Sequence, residues 1–154
     1  MIATLEEFLP TLALLKQEKR KLVFTNGCFD IIHAGHVTYL NQSKALGDLL
    51  IVGLNTDSSV KKIKGEGRPI ICESDRAIVL DSLKAVDYVI YFSEETPFNL
   101  ISTILPDVLV KGGDYKIENI VGSDIVLNNG GQVIVLPYLS GKSTTGIIDK
   151  INKL

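Results

Sequence analysis

A chain of 154 residues, 45% hydrophobic and 22% charged, is one domain's worth and long enough for a core without disulfide or metal staples. Its net charge of −2 excludes a general attraction to nucleic acid or anionic membrane, so any anion site must be local. There is no apolar run of the roughly twenty residues that span a bilayer; the acidic start reverses the order of a secretory signal, and two cysteines fit a reducing cytoplasm.

Leu5, Leu9, Leu12 and Leu15 recur at helical spacing, which predicts an amphipathic helix over residues 2–19 and a surface for homodimerisation. KLVFTN follows as a short strand, and a helix is expected from Thr38 to Leu46. LLIVGLN, ending at Asn55, is a strand of the continuous apolar kind found where both faces are covered. SSVKKIKGEGRPI holds Gly65, Gly67 and Pro69 and reads as a long loop. ESDRAIVLDSLKAV reads as a helix capped by Glu73 or Ser74. Strand DYVIYF, helix TPFNLISTIL, strand DVLVK, a glycine turn, a short helix near 117–128, strand QVIVLP and a final helix over 143–153 complete the chain.

Strands alternating with helices predict a single α/β domain over residues 1–154, with helix 1–20 ahead of a core at 21–154. The expected architecture is a Rossmann-like, doubly wound, five-stranded parallel sheet of order 3-2-1-4-5. Its ligand crevice lies at the carboxyl ends of the first and fourth strands.

TNGCFDIIHAGH occupies that place and holds the only two histidines, His33 and His36. Three residues apart, they share a face once the helix begins, and Gly35 lets a ligand approach the backbone. Two imidazoles at a helix N-terminus suit a polyphosphate, each donating to a different oxygen. Zinc is the rival, since Cys28, His33 and His36 can all ligate. Structural zinc needs four closed ligands, however, and no second pair follows, so no metal ligand is assigned.

VKKIKGEGRP places Lys61, Lys62, Lys64 and Arg68 beside two glycines, as a cationic loop able to close over phosphates. Arg76, in the next helix, reaches the same anions or lies on the helix surface. In VLVKGGDY, Gly112 and Gly113 allow a tight turn, and Asp114 can accept from a sugar hydroxyl. SGKSTTGIIDK imitates a Walker A motif, but Leu136 stands where its first glycine belongs. What remains is a hydroxyl-rich helix start, where Ser143, Thr144 and Thr145 cap the helix or donate to phosphate.

NGCFDIIHAGH, KGEGRP, VKGGDY and STTGIIDKI, in that order from about residue 21 to 153, resemble the cytidylyltransferase-like nucleotidyltransferases with their HxGH signature. Within them the longer runs are most similar to the D-glycero-β-D-manno-heptose 1-phosphate adenylyltransferase domain. The resemblance implies AMP transfer from ATP to a sugar 1-phosphate, with pyrophosphate released. It makes His33, His36 and Lys64 catalytic. It assigns Asn26, Gly27, Cys28, Phe29, Gly35, His36, Asn55, Arg76, Gly113, Ser143 and Thr144 to the nucleotide, and Asp30, Lys64, Arg68, Lys111 and Asp114 to the acceptor.

Lys84 and Lys142 stand near positions where related cytidylyltransferases carry arginine, which argues against the glycerol-phosphate branch. Mg²⁺ is expected to be held mainly by the ATP phosphates, because no carboxylate cluster is visible. A separate sugar kinase is expected to supply the sugar 1-phosphate. A cytidylyltransferase or adenylyltransferase for another small phosphorylated acceptor, such as glycerol 3-phosphate, is the alternative reading.

Overall fold

Ile51, Val52, Val89, Ile90, Val108 and Val110 are each fully buried, which is what strands covered on both faces require. The computed structural model describes residues 1–154 except Tyr138 and Ser140. In chain order the elements are β1 (Ile2–Ala3), α1 (Leu5–Gln17), β2 (Leu22–Gly27), α2 (Ala34–Lys44), β3 (Leu49–Asn55), α3 (Asp57–Lys64) and α4 (Glu73–Asp81). There follow β4 (Tyr88–Phe92), α5 (Phe98–Ile104), β5 (Val108–Gly112), a 3₁₀ turn at Ile117–Asn119, α6 (Ser123–Asn128), β6 (Gln132–Leu136) and α7 (Thr144–Ile151).

All strand pairings are parallel, and the order is β1-β4-β3-β2-β5-β6. The last five strands reproduce the predicted 3-2-1-4-5 arrangement. The count is corrected from five to six, because Ile2 and Ala3 pair with Val89 and Ile90 at the sheet edge. Helix α1 therefore starts at Leu5 and not at residue 2, behind a capping box in which Thr4 and Glu7 satisfy each other's backbone N–H groups. One face of the sheet packs Phe8, Leu12, Leu15 and Ile101, and the other packs Leu40, Ala77 and Leu80.

Four other expectations change. The long loop after β3 is partly helical: Thr56 caps α3, whose Ser59 and Val60 are buried, so Lys61, Lys62 and Lys64 lie on a helix. Helix α2 begins at Ala34, four residues ahead of Thr38, because His33 itself is its N-cap. At α4 the capping residue is Cys72, with no side-chain hydrogen bond, in place of Glu73 or Ser74. The helix expected near 117–128 divides at Gly122, whose φ of +80° breaks the run.

Aspartates occupy the amino ends of the strands. Asp48, Asp87 and Asp107 accept the N–H groups of Lys21, Leu50 and Leu22 at 2.7 Å each. These carboxylates satisfy backbone donors at the end of the sheet away from the crevice. Among the described residues no helix is long and apolar enough to cross a membrane.

Candidate active site

Strand β2 delivers the chain at Gly27, and the three residues that follow set the crevice floor. Phe29 adopts φ +45°, a left-handed conformation, and is buried. A Cβ on Gly27 would lie 3.0 Å from the Phe29 ring, so this glycine leaves the space that the ring fills. Phe29 in turn lies against His36, with ring centroids 5.3 Å apart.

His33 Nδ1 accepts the Gly35 N–H at 3.1 Å. That bond fixes the tautomer of the neutral ring and leaves Nε2–H as a donor. The two imidazoles stack at 3.9 Å with planes 27° apart. Two cations held so close would repel, and burial disfavours charge as well. Burial lowers the His36 pKa to about 4, helped by the His33 and Lys64 charges and opposed by the Ile31 carbonyl. Burial, with Lys142, also lowers that of His33. Both rings are therefore neutral donors near pH 7. His36 Nδ1 is buried with no hydrogen-bond partner among the described residues.

The start of α7 forms the second wall. Ser143 caps the helix by accepting the Gly146 N–H at 3.0 Å, which leaves its own O–H free to donate. Thr144 Oγ1 donates to the Ile31 carbonyl at 3.4 Å and ties α7 to the entry of α2. A Cβ on Gly35 would stand 2.9 Å from the His33 ring and 3.2 Å from Lys142 Cβ, so only glycine fits between them. Two helix N-termini thus meet beside two neutral imidazoles and the charges of Lys64 and Lys142.

Lys111, on β5, forms the third wall. Its Nζ donates to Asn26 Oδ1 at 3.2 Å and sits 5.9 Å from the Tyr115 ring centroid. Burial lowers its pKa, opposed by Cys28, and it has no ion pair among the described residues. A half-buried cation without a carboxylate has the charge to receive an anion. Gly113, at φ +118°, turns the chain there, while Asp114 is exposed at the rim. Asn55 is buried, donates to Ser59 Oγ at 2.9 Å and lies 4.0 Å from the Cys28 sulfur.

The remaining predicted residues have other partners. Arg76 has a fully buried side chain and does not face the imidazoles with a free guanidinium. Its Nε donates to the Ile71 carbonyl at 2.9 Å, its Nη1 to the Cys28 carbonyl and its Nη2 to Asp57 at 2.7 Å. Asp30 accepts from Arg68 Nε at 2.6 Å and from the N–H groups of Ile70 and Ile71 at 2.9 and 2.8 Å. Burial raises the Asp30 pKa, but these donors outweigh it and hold the carboxyl below its ordinary value. Asp30 and Arg68 thus face each other, although Arg68 Nη2 is buried with no hydrogen-bond partner among the described residues. Asp57 is the structural residue that the sequence reading missed, since nothing in NTDSSV distinguishes it from a helix-start acid.

The His36 shift makes stability depend on pH. The unfolded chain takes up a proton near the ordinary histidine pKa of about 6.5, whereas the folded chain resists until about 4. Stability contributed by neutral His36 is complete above the first value and is lost as pH falls towards the second. In thermal melts across this window His36→Gln should flatten the acid-side decline in Tm; an unchanged slope would place the titration elsewhere.

A model of the cytidylyltransferase-like family matches residues 24–148. The bifunctional protein HldE of Campylobacter concisus is 57% identical over 150 residues, covering 97% of this chain and 30% of its own. That of Wolinella succinogenes is 59% identical over 132 residues, covering 86% and 27%. The chain therefore spans about three tenths of the length of these curated relatives. The crystal structure of a lipopolysaccharide core biosynthesis protein from Thermoplasma volcanium superposes with a TM-score of 0.62 at 28% identity, over 80% of this chain and 99% of that one. Pantoate–β-alanine ligase from Francisella tularensis shares the fold alone, with a TM-score of 0.61 at 16% identity over 100% of this chain and 78% of that one. With the family model spanning most of β2, all of β3 to β6, the histidine pair and most of α7, the chain belongs to the cytidylyltransferase-like family of nucleotidyltransferases.

Proposed function

We propose that this chain transfers AMP from ATP to D-glycero-β-D-manno-heptose 1-phosphate, giving ADP-heptose and pyrophosphate. The observation that carries the reading is the meeting of the α2 and α7 N-termini around His33 and His36, with Lys111 on β5 held by Asn26 and without an ion pair among the described residues. The heptose assignment rests on the long runs FTNGCFDIIHAGHVTYL, KGEGRP and LPDVLVKGGDY and on the HldE relatives.

The acceptor phosphate, with a second pKa of about 6, is already a nucleophile at neutral pH, so no general base is required. One of its oxygens attacks the α-phosphorus in line; the bond from that phosphorus to the α–β bridging oxygen breaks, and pyrophosphate leaves. The difficulty is charge repulsion, so the protein's part is positioning and cationic stabilisation. His33 and His36 donate to the triphosphate and Lys64 and Lys142 offset the charge leaving with pyrophosphate. Ser143 and Thr144 border the β- and γ-phosphates, and Lys111 receives the acceptor phosphate.

No group of three His, Cys, Asp or Glu side chains among the described residues could hold a metal ion. Mg²⁺ would be held mainly by the ATP phosphates and would offset part of their charge. A cytoplasmic homodimer, fed by a sugar kinase acting upstream, completes the proposal.

The test is pyrophosphate release with ATP, CTP or GTP against heptose 1-phosphate and glycerol 3-phosphate. Release with ATP and the heptose is expected; preference for CTP and glycerol 3-phosphate would replace the assignment. Within that assay Lys111→Met should raise the acceptor KM on the order of tenfold, the scale of one charge-assisted contact, and leave the ATP KM little changed.

A further inference from the structure

The segment 57–76 carries Lys64 and is fastened to the residues just after β2 at two places. At its ends, Arg76 joins the Cys28 carbonyl to Asp57. In its middle, the Asp30 carboxylate gathers Arg68 Nε and the N–H groups of Ile70 and Ile71. Residues 61–67 between these fastenings are all exposed. A Cβ on Gly65 or Gly67 would meet nothing within 4 Å. Packing therefore does little to fix the last turn of α3, and the Asp30 clasp is where the chain is next held.

Asp30 is poorly suited to touch a substrate directly. Its side chain is only 1% exposed, and both oxygens already accept hydrogen bonds. Its charge would repel a polyphosphate were Arg68 not beside it. Lys64, by contrast, lies close enough to His36 for its charge to act on the imidazole.

We propose that Asp30 is a positioning residue: through Arg68 and the backbone of Ile70 and Ile71 it holds the end of α3 so that Lys64 stays beside His36. This rests on the nucleotidyl-transfer reading of the site. It separates Asp30 from the acceptor-binding role that the sequence motif implied. The clasp acts at the far end of a glycine-flanked stretch, so its loss frees Lys64 without removing it.

A double-mutant cycle tests the proposal. Asp30→Asn preserves the side chain's size and one acceptor oxygen but loses the charge that holds Arg68. It should lower kcat roughly tenfold in the wild-type background and less than about twofold in Lys64→Ala, because a residue acting through Lys64 has nothing left to act on. The acceptor KM should stay within about twofold. An equal loss in both backgrounds, or a loss expressed in the acceptor KM, overturns the proposal.

Should Asp30→Asn fold poorly, Arg68→Gln opens the same clasp while leaving the two backbone bonds, and it should show the same dependence on Lys64. Amide hydrogen exchange separates the clasp from the reaction. Exchange over residues 61–67 should rise in Asp30→Asn whether or not any acceptor turns over, and unchanged exchange overturns the clasp itself. A wild-type chain with no transferase activity would instead count against the function.

Discussion

His33→Ala and His36→Ala should each lower kcat by on the order of 10²-fold or more, the scale of losing one preorganised transition-state donor. The stacked, neutral pair owes that property to burial and to the lysines nearby. Neutral rings donate a single N–H each and need no reorganisation when charge moves towards the departing pyrophosphate. His33 has a second task as the N-cap of α2, so alanine there also removes a cap worth about 0.5–2 kcal/mol. His33→Asn distinguishes the two roles, since asparagine caps well but places no imidazole in the site. It should recover thermal stability without recovering kcat. Near wild-type turnover in either alanine variant would remove the phosphate clamp from the account.

Arg76→Ala should destabilise the fold by about 3–5 kcal/mol, the range seen when one partner of a buried charge pair is removed. The guanidinium is fully enclosed and serves three elements at once: the Cys28 carbonyl after β2, Asp57 at the start of α3, and the Ile71 carbonyl ahead of α4. Truncation strands two carbonyls and a carboxylate around a cavity. Chemical denaturation reads the loss directly. Arg76→Lys should recover little of it, because an ammonium cannot reproduce the planar fork that meets three acceptors. A variant with wild-type stability and a raised ATP KM would return Arg76 to the phosphate contact that the motif suggested.

Much of this fold was readable in the chain. The runs LLIVGLN, DYVIYF and DVLVK are apolar without alternation, which only a parallel sheet covered on both faces explains, and their order followed from the doubly wound pattern. What escaped were local events with weak patterns. Ile2 and Ala3 are too short to show a strand period, and their pairing is set by the edge that β4 offers. DSSVKKIK looked like loop because it carries few apolar residues. Its helix depends on the Thr56 cap and on burying Ser59 and Val60, which tertiary packing decides.

The site divides in the same way. Residue type and spacing located His33, Gly35 and His36, since their chemistry depends on one helix start. Whether a charged residue faces ligand or protein depends on partners far along the chain. Arg76 and Asp57 are 19 positions apart, and Asp30 and Arg68 are 38 apart. Charge alone could not separate those four from Lys111, which is left without an acidic partner among the described residues.

The most direct test of the account is the product itself. The chain incubated with ATP, Mg²⁺ and D-glycero-β-D-manno-heptose 1-phosphate should yield ADP-heptose, identified by mass spectrometry, with one pyrophosphate released per nucleotide sugar. Consumption of neither substrate, with active protein shown by ATP binding, would contradict it.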